Sequence, residues 1–99
     1  MSVNLRILSN VYDEVTEAFL YYDSLSHRSA DKFLESIDFI YDTITQFPLM
    51  YQVMFDNVHR APLTKFPYAV FYKYYPQEVV VFAVRNTKQD PQKLPRKEN

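Results

Sequence analysis

The stretch VVVFAVRNTKQDP, residues 79–91, decides the fold more than any other part of the chain. Its first six residues are apolar and strand-forming, without the alternation that marks a strand with one wet face. We therefore place residues 79–84 centrally in a sheet, with helices over one face. A dense polar cluster, residues 85–90, follows without a glycine. This cluster indicates either a solvent-exposed end of the strand or a packed strand that holds reactive groups in place.

The rest of the chain supplies partners for this strand. Apolar residues at helical spacing predict two amphipathic helices over 11–22 and 30–44, with Asn10 and Ser26 as their N-caps. Further strands are predicted at residues 3–7, 50–55, 58–63 and 68–74, and Pro62 places its own strand at an edge or a bulge. The prediction is an α+β fold. An N-terminal strand and an antiparallel helical hairpin pack on one face of a twisted, mainly antiparallel sheet.

Length and composition exclude several classes of protein. Ninety-nine residues predict one domain over 1–85, followed by a polar tail over 86–99 that has no periodicity. The chain has no cysteine and no glycine, which excludes disulfides, Cys-based zinc sites, P-loops and dinucleotide fingerprints. It has no apolar run of about 18 residues and no signal layout, so we expect a cytoplasmic protein that does not contact the membrane.

The net charge of −1 conceals a division between the two halves of the chain. Residues 1–56 hold nine acids and three bases, whereas residues 57–99 hold eight bases and three acids. A basic second half indicates an anionic partner. The alternative is that solvated charges happen to segregate.

The segment HRAPLTKFPYAVFYKYYPQEVVVFAVRNTKQDP, residues 59–91, resembles the RelE/ParE family of bacterial toxins from type II toxin–antitoxin modules. The matching features are a basic residue before a short strand (Arg60), the FPY motif at 66–68, the apolar strand and Asp90-Pro91. The resemblance implies a small toxin that is neutralised by a cognate antitoxin and uses neither metal nor cofactor. Its RelE-like branch cleaves messenger RNA on the ribosome, and its ParE-like branch poisons DNA gyrase.

The resemblance also implies where functional residues lie. RelE-like cleavage without metal needs a base, an acid and cations around one phosphate. Two strand-exit positions that hold His and Arg in many family members are amides here, Asn86 and Gln89, and an amide neither accepts a proton usefully nor carries charge. The candidate catalytic residues are Arg60, Arg85, Lys88 and Tyr72, and the candidate binding residues are Lys65, His59, Tyr68, Asn86 and Gln89. For the cations the alternative is an ion pair or a solvated strand end, and for the aromatic residues it is a place in the core.

These features predict the toxin of a type II module that arrests growth. They favour a ParE-like gyrase poison as its activity. Two alternatives stay open: a RelE-like messenger RNA endonuclease, which is the only enzyme activity implied, and a non-toxic member that retains partner binding. The expected partners are an antitoxin and either gyrase or the ribosome. The expected assembly is a homodimer or a toxin–antitoxin hetero-oligomer.

Overall fold

Two helices cover one face of a five-stranded sheet in the computed structural model, which describes residues 3–88 and 94–96. The elements follow the predicted order: β1 (Asn4–Ile7), α1 (Ser9–Leu25), α2 (His27–Gln46), β2 (Val53–Phe55), β3 (Val58–Pro62), β4 (Tyr68–Tyr75) and β5 (Glu78–Asn86). The predicted fold class is confirmed. Most of the predicted tail, residues 89–93 and 97–99, lies outside the described residues, and so does the candidate Gln89.

The strands lie in the order β1-β5-β4-β3-β2, and β1 runs parallel to β5 while the other neighbours are antiparallel. The strand containing residues 79–84 therefore has a neighbour on both sides, as predicted. Pro62 is the last residue of β3. It lies beyond the hydrogen bond that the Arg60 amide donates to the Gln52 carbonyl at 3.0 Å, at the edge of β3 that faces β2. A missing N–H is tolerated there because no described strand pairs with that edge.

The two helix starts differ from each other. The Ser26 hydroxyl oxygen accepts a hydrogen bond from the Ser29 amide at 3.0 Å, which confirms the predicted cap of α2. The predicted cap of α1 was wrong, because that helix begins at Ser9 and contains Asn10. The Asn10 amide instead donates to the Phe82 carbonyl of β5 at 3.0 Å, so it bonds to the sheet rather than to its own helix.

The main core lies between the helices and the sheet. An aromatic group forms its centre: the Phe33 ring lies 5.3 Å from Tyr22, 5.5 Å from Phe66 and 5.3 Å from Tyr68. The other buried side chains come from both helices and the helix-side residues of β3, β4 and β5, among them Val11, Ala18, Ile37, Ile44, Val70, Val79 and Val81. The predicted apolar stripes of the two helices are thus the surfaces that pack on the sheet.

A second, smaller cluster lies on the other side of the sheet, which we call the outer face. Ala69, Phe71 and Ala83 are buried there, and Phe82 and Leu94 pack against them. A register shift next to Phe71 lets the two neighbours Phe82 and Ala83 join the same cluster. Neither helix in the described residues is long and apolar enough to cross a membrane.

Candidate partner-binding surface

Two of the predicted basic residues occupy register positions on the outer face. Arg60 pairs with Phe71 across the sheet, and Arg85 pairs with Ala69, so both share the face that carries the smaller cluster. Lys73, on the strand between them, lies 5.7 Å from the centre of the Phe82 ring. The structure therefore brings cations from three adjacent strands to one face of the sheet.

Arg60 lies in a concavity of about 590 Å³ next to β2, lined also by Met50, Tyr51, Gln52, Met54 and Pro62. It is partly buried and makes no ion pair with any residue of 3–88 or 94–96. It is also the one charged residue among those that line this concavity. An arginine held in such a place can bind a carboxylate or a phosphate of another molecule.

Arg85 differs from Arg60 because an acid from α1 holds it. Glu14 Oε2 accepts from Arg85 Nε at 3.0 Å and from Nη2 at 2.9 Å, and Glu14 Oε1 accepts from the Val84 amide at 2.8 Å. Asn10, one turn earlier, bonds to Glu14 Oε2 and to the Phe82 carbonyl. These side chains continue the edge of the sheet where β1 stops, because β1 pairs only with residues 78–81 of β5. Glu14 was not among the sequence-predicted site residues. The only signal was that it is an acid near the start of the helix that follows β1.

We expect Glu14→Ala to lower the free energy of unfolding by about 2–3 kcal/mol, because it removes charge-assisted bonds to Arg85 and leaves the Val84 amide without its acceptor. Urea denaturation of the purified chain measures this. Glu17→Ala, an exposed acid on the same helix, is the matched control and should change stability by less than about 0.5 kcal/mol. Equal effects of the two variants would contradict the assigned role of Glu14.

His59 and Tyr72 lie in the core rather than on a surface. Tyr72 is fully buried, and its hydroxyl donates to the Pro48 carbonyl at 2.8 Å. The His59 ring stacks on the Tyr72 ring, with centroids 4.8 Å apart, and His59 Nδ1 lies 3.1 Å from the Tyr51 carbonyl. Both side chains are buried in this arrangement, and the catalytic role of Tyr72 and the binding role of His59 stay predictions. Their contacts instead attach the segment after α2 to the sheet.

The remaining candidates lie apart from Arg60. Tyr68 contacts Tyr22 and Phe33, which places its ring on the helix side of the sheet. Lys65 is exposed in the loop between β3 and β4, and it lines a concavity of about 410 Å³ against α2. Asn86 ends β5, and its side-chain oxygen accepts from the amide of the exposed Lys88 at 2.8 Å. The predicted residues thus divide between the outer face, the helix side and the strand exit.

Burial raises the pKa of Tyr72 to about 12, and it raises the pKa of Tyr41 to about 12. Because the unfolded value is about 10, the folded state binds these protons more tightly. The contribution of each raised pKa to the free energy of unfolding is complete below pH 10. It is lost as the pH rises toward 12, by on the order of 2 kcal/mol for each group. We therefore expect alkaline unfolding between pH 10 and 12, followed by circular dichroism and by phenolate absorbance. Tyr41→Phe should move the midpoint upward. Titration of all nine tyrosines as one class near pH 10, with the fold intact, would refute this.

Comparison with known proteins adds the family. The sequence model described as the ParE toxin of type II toxin–antitoxin system, parDE, matches residues 8–91. A solved structure described as the chromosomal ParDE TA system from P. aeruginosa superposes with a TM-score of 0.75 at 12% sequence identity, covering 88% of this chain and 98% of that chain. At that identity the likeness concerns the fold alone. No curated protein matches the chain. Since the family match spans both helices and all strands after β1, this chain belongs to the ParE toxin family of type II toxin–antitoxin systems.

Proposed function

We propose that this protein is the toxin of a two-gene module, that it arrests bacterial growth from the cytoplasm, and that its target is DNA gyrase. Family membership supports the first part, since the matching family is described as a toxin of a toxin–antitoxin system. The structurally similar protein is likewise described as part of a ParDE system.

The observation that carries the choice of target is the burial of the side chains best suited to proton transfer. Cleavage of RNA without metal needs a base and an acid at the same phosphate. His59 is 2% exposed and Tyr72 is fully buried, and Asn86 at the strand exit is an amide. The accessible outer face offers cations, chiefly Arg60, which bind anionic groups but exchange protons poorly near neutral pH. This arrangement favours a toxin that binds its target over one that cleaves RNA.

We also propose a cognate antitoxin as the partner that neutralises the toxin. Large apolar side chains are exposed on the outer surface of the helices: Tyr12, Leu20, Tyr21, Leu25 and Phe39. An amphipathic segment that folds on binding can cover such side chains. Acidic residues in the same segment would be attracted to the basic outer face. Binding to both surfaces at once would let a short partner hold a small toxin tightly.

Controlled expression tests this proposal. The chain is induced in a bacterial host with and without the neighbouring reading frame, and purified chain is added to gyrase in a supercoiling assay. We expect growth arrest that the neighbour relieves, an induced DNA-damage response, intact messenger RNA and inhibited supercoiling. Messenger RNA cut at ribosome-bound codons would overturn the choice of gyrase. Normal growth with abundant folded protein would overturn toxicity itself.

A further inference from the structure

One segment of the surface carries no charge and an excess of apolar side chains. Residues 43–55, which we call the uncharged corner, are thirteen consecutive residues without Asp, Glu, Lys, Arg or His. They run from the last turn of α2 through β2. Five of their large apolar side chains are exposed: Phe47 by 60%, Leu49 by 72%, Met50 by 65%, Val53 by 46% and Met54 by 38%. Exposed apolar area this concentrated is typical of an interaction surface.

The uncharged corner also contains an open edge of the sheet. β2 is the last strand in the sheet order, and the Arg60 amide donates to the Gln52 carbonyl. Since hydrogen-bonded and non-hydrogen-bonded pairs alternate in an antiparallel ladder, the next pair, Val53 with His59, leaves the Val53 N–H and C=O pointing away from β3. These groups are available to another strand.

The opposite edge of the sheet is protected in ways that β2 is not. There β1 carries Arg6, whose Nε lies 3.1 Å from Glu78 Oε1. Where β1 stops, Asn10 and Glu14 occupy the edge of β5. Proteins commonly use charges and covering elements of this kind to prevent edge-to-edge pairing. β2 is only three residues long, and its pairing with β3 shifts register between Val53 and Phe55. Because 43–55 contain no charged residue, β2 is nevertheless the edge more open to pairing.

We infer that a second copy of this chain binds the uncharged corner. β2 of each copy pairs antiparallel with β2 of the other about a two-fold axis near Val53, so that two sheets join into one. The apolar side chains of 47–54 are buried on both sides of the new ladder. This assembly goes beyond the proposed function, and it involves Met50, Tyr51, Gln52 and Met54, which also line the concavity that holds Arg60.

A two-fold interface must be compatible with itself, because each residue near the axis meets its own copy or a near neighbour. Asp56 of one copy lies opposite Met50 of the other in a pairing centred on Val53, so acid does not face acid. The two Arg60 residues sit on strands three spacings apart, about 14 Å, which exceeds the screening length of about 8 Å at physiological ionic strength. Nothing in the segment repels its own copy.

The shape of the surface beside the uncharged corner also fits a second copy of the chain. A concavity of about 570 Å³ lies beside the uncharged corner, lined by Gln46, Phe47, Pro48, Leu49, Met50 and Tyr74. None of these residues is charged, so the cavity suits an apolar side chain such as the exposed Leu49 of the second copy. A partner selected by charge would find no complement here. The exposed Phe39 of α2 is different, because Lys32, Glu35 and Lys65 line its concavity.

Sedimentation equilibrium of the full chain, from about 1 to 300 µM, tests the inference. We expect the mean mass to rise from monomer toward dimer with a dissociation constant on the order of 10 µM, as suits a short strand pair and a small apolar patch. Hydrogen exchange at the Val53 amide should slow as concentration rises. Val53→Lys places like charges across the axis, and Leu49→Lys places an unpaired charge in the uncharged concavity, so each should weaken dimerisation by about 100-fold.

Leu20→Lys is the matched control. Leu20 is 59% exposed on α1, far from β2 in the fold, and its replacement should leave the dimer unchanged. Circular dichroism confirms that each variant is folded, and Leu49 lies outside the helices and strands, where a lysine does not disturb backbone pairing. A chain that stays monomeric to 300 µM would overturn the inference. So would a dimer that Leu20→Lys dissociates and Leu49→Lys does not, or a Val53 amide protected only when an antitoxin is added.

Discussion

Phe33→Ala is expected to lower the free energy of unfolding by about 3–5 kcal/mol, the largest stability effect of any single substitution considered for this chain. Phe33 is fully buried on α2, and its ring contacts three other aromatic rings, from α1, from β4 and from the loop before β4. Removing it leaves a cavity between the helical hairpin and the sheet. The surrounding rings cannot collapse into this space without leaving their own contacts.

Equilibrium denaturation in urea measures the effect, and Phe39→Ala provides the control. Phe39 lies on the same helix but is 66% exposed, so its replacement should change stability by less than about 1 kcal/mol. A difference between the two variants below about 1 kcal/mol would show that the aromatic group is not the centre of the core. Since a chain of this size is stable by about 5–15 kcal/mol, Phe33→Ala should also lower the amount of folded protein in cells.

Arg60→Glu is expected to abolish growth arrest, the largest functional effect predicted here. Arg60 is a partly buried cation with no acidic partner among residues 3–88 and 94–96, in a concavity with no other charged lining residue. If an anionic group of the target binds there, reversing the charge replaces an attraction with a repulsion. A change of 2–5 kcal/mol is usual for such a pair, which weakens binding by about 30- to 5,000-fold.

Two readouts measure this effect: colony counts after induction, and the concentration of purified chain that inhibits supercoiling by half. Arg28→Glu is the control, because Arg28 is exposed at the start of α2 and the substitution changes the net charge equally. We expect Arg28→Glu to remain toxic. If Arg60→Glu is as toxic as the unchanged chain, Arg60 is not part of the target-binding site. Equal loss in both variants would mean that net charge, rather than the concavity, determines target binding.

The value of each sequence-based prediction depended on how local its signal was. The stripe that contains Phe33 and Ile37 predicted both the helix and its buried face, because helical spacing and burial depend on neighbours within a few turns. The unbroken run at 79–84 predicted an interior strand for the same reason. The β2 strand was predicted too long, over 50–55, because an apolar segment can be part of a strand or lie beside one.

Site residues were harder to predict, because residue type does not reveal access to a ligand. His59 and Tyr72 have side chains suited to proton transfer, yet the two rings stack on each other beneath the segment after α2. Arg85 looked equivalent to Arg60 in the sequence. The difference between them is Glu14, which lies 71 residues from Arg85 along the chain and bonds to it directly.

The sequence by itself determined the order and type of the elements, the α+β class and the family, because periodicity and short motifs are local properties of the chain. Only the tertiary structure decided which polar side chains remain accessible, which of Arg60 and Arg85 has an acidic partner, and which edge of the sheet is left open. The physical reason is that these properties depend on strand register and helix packing, which bring together groups that the sequence keeps far apart.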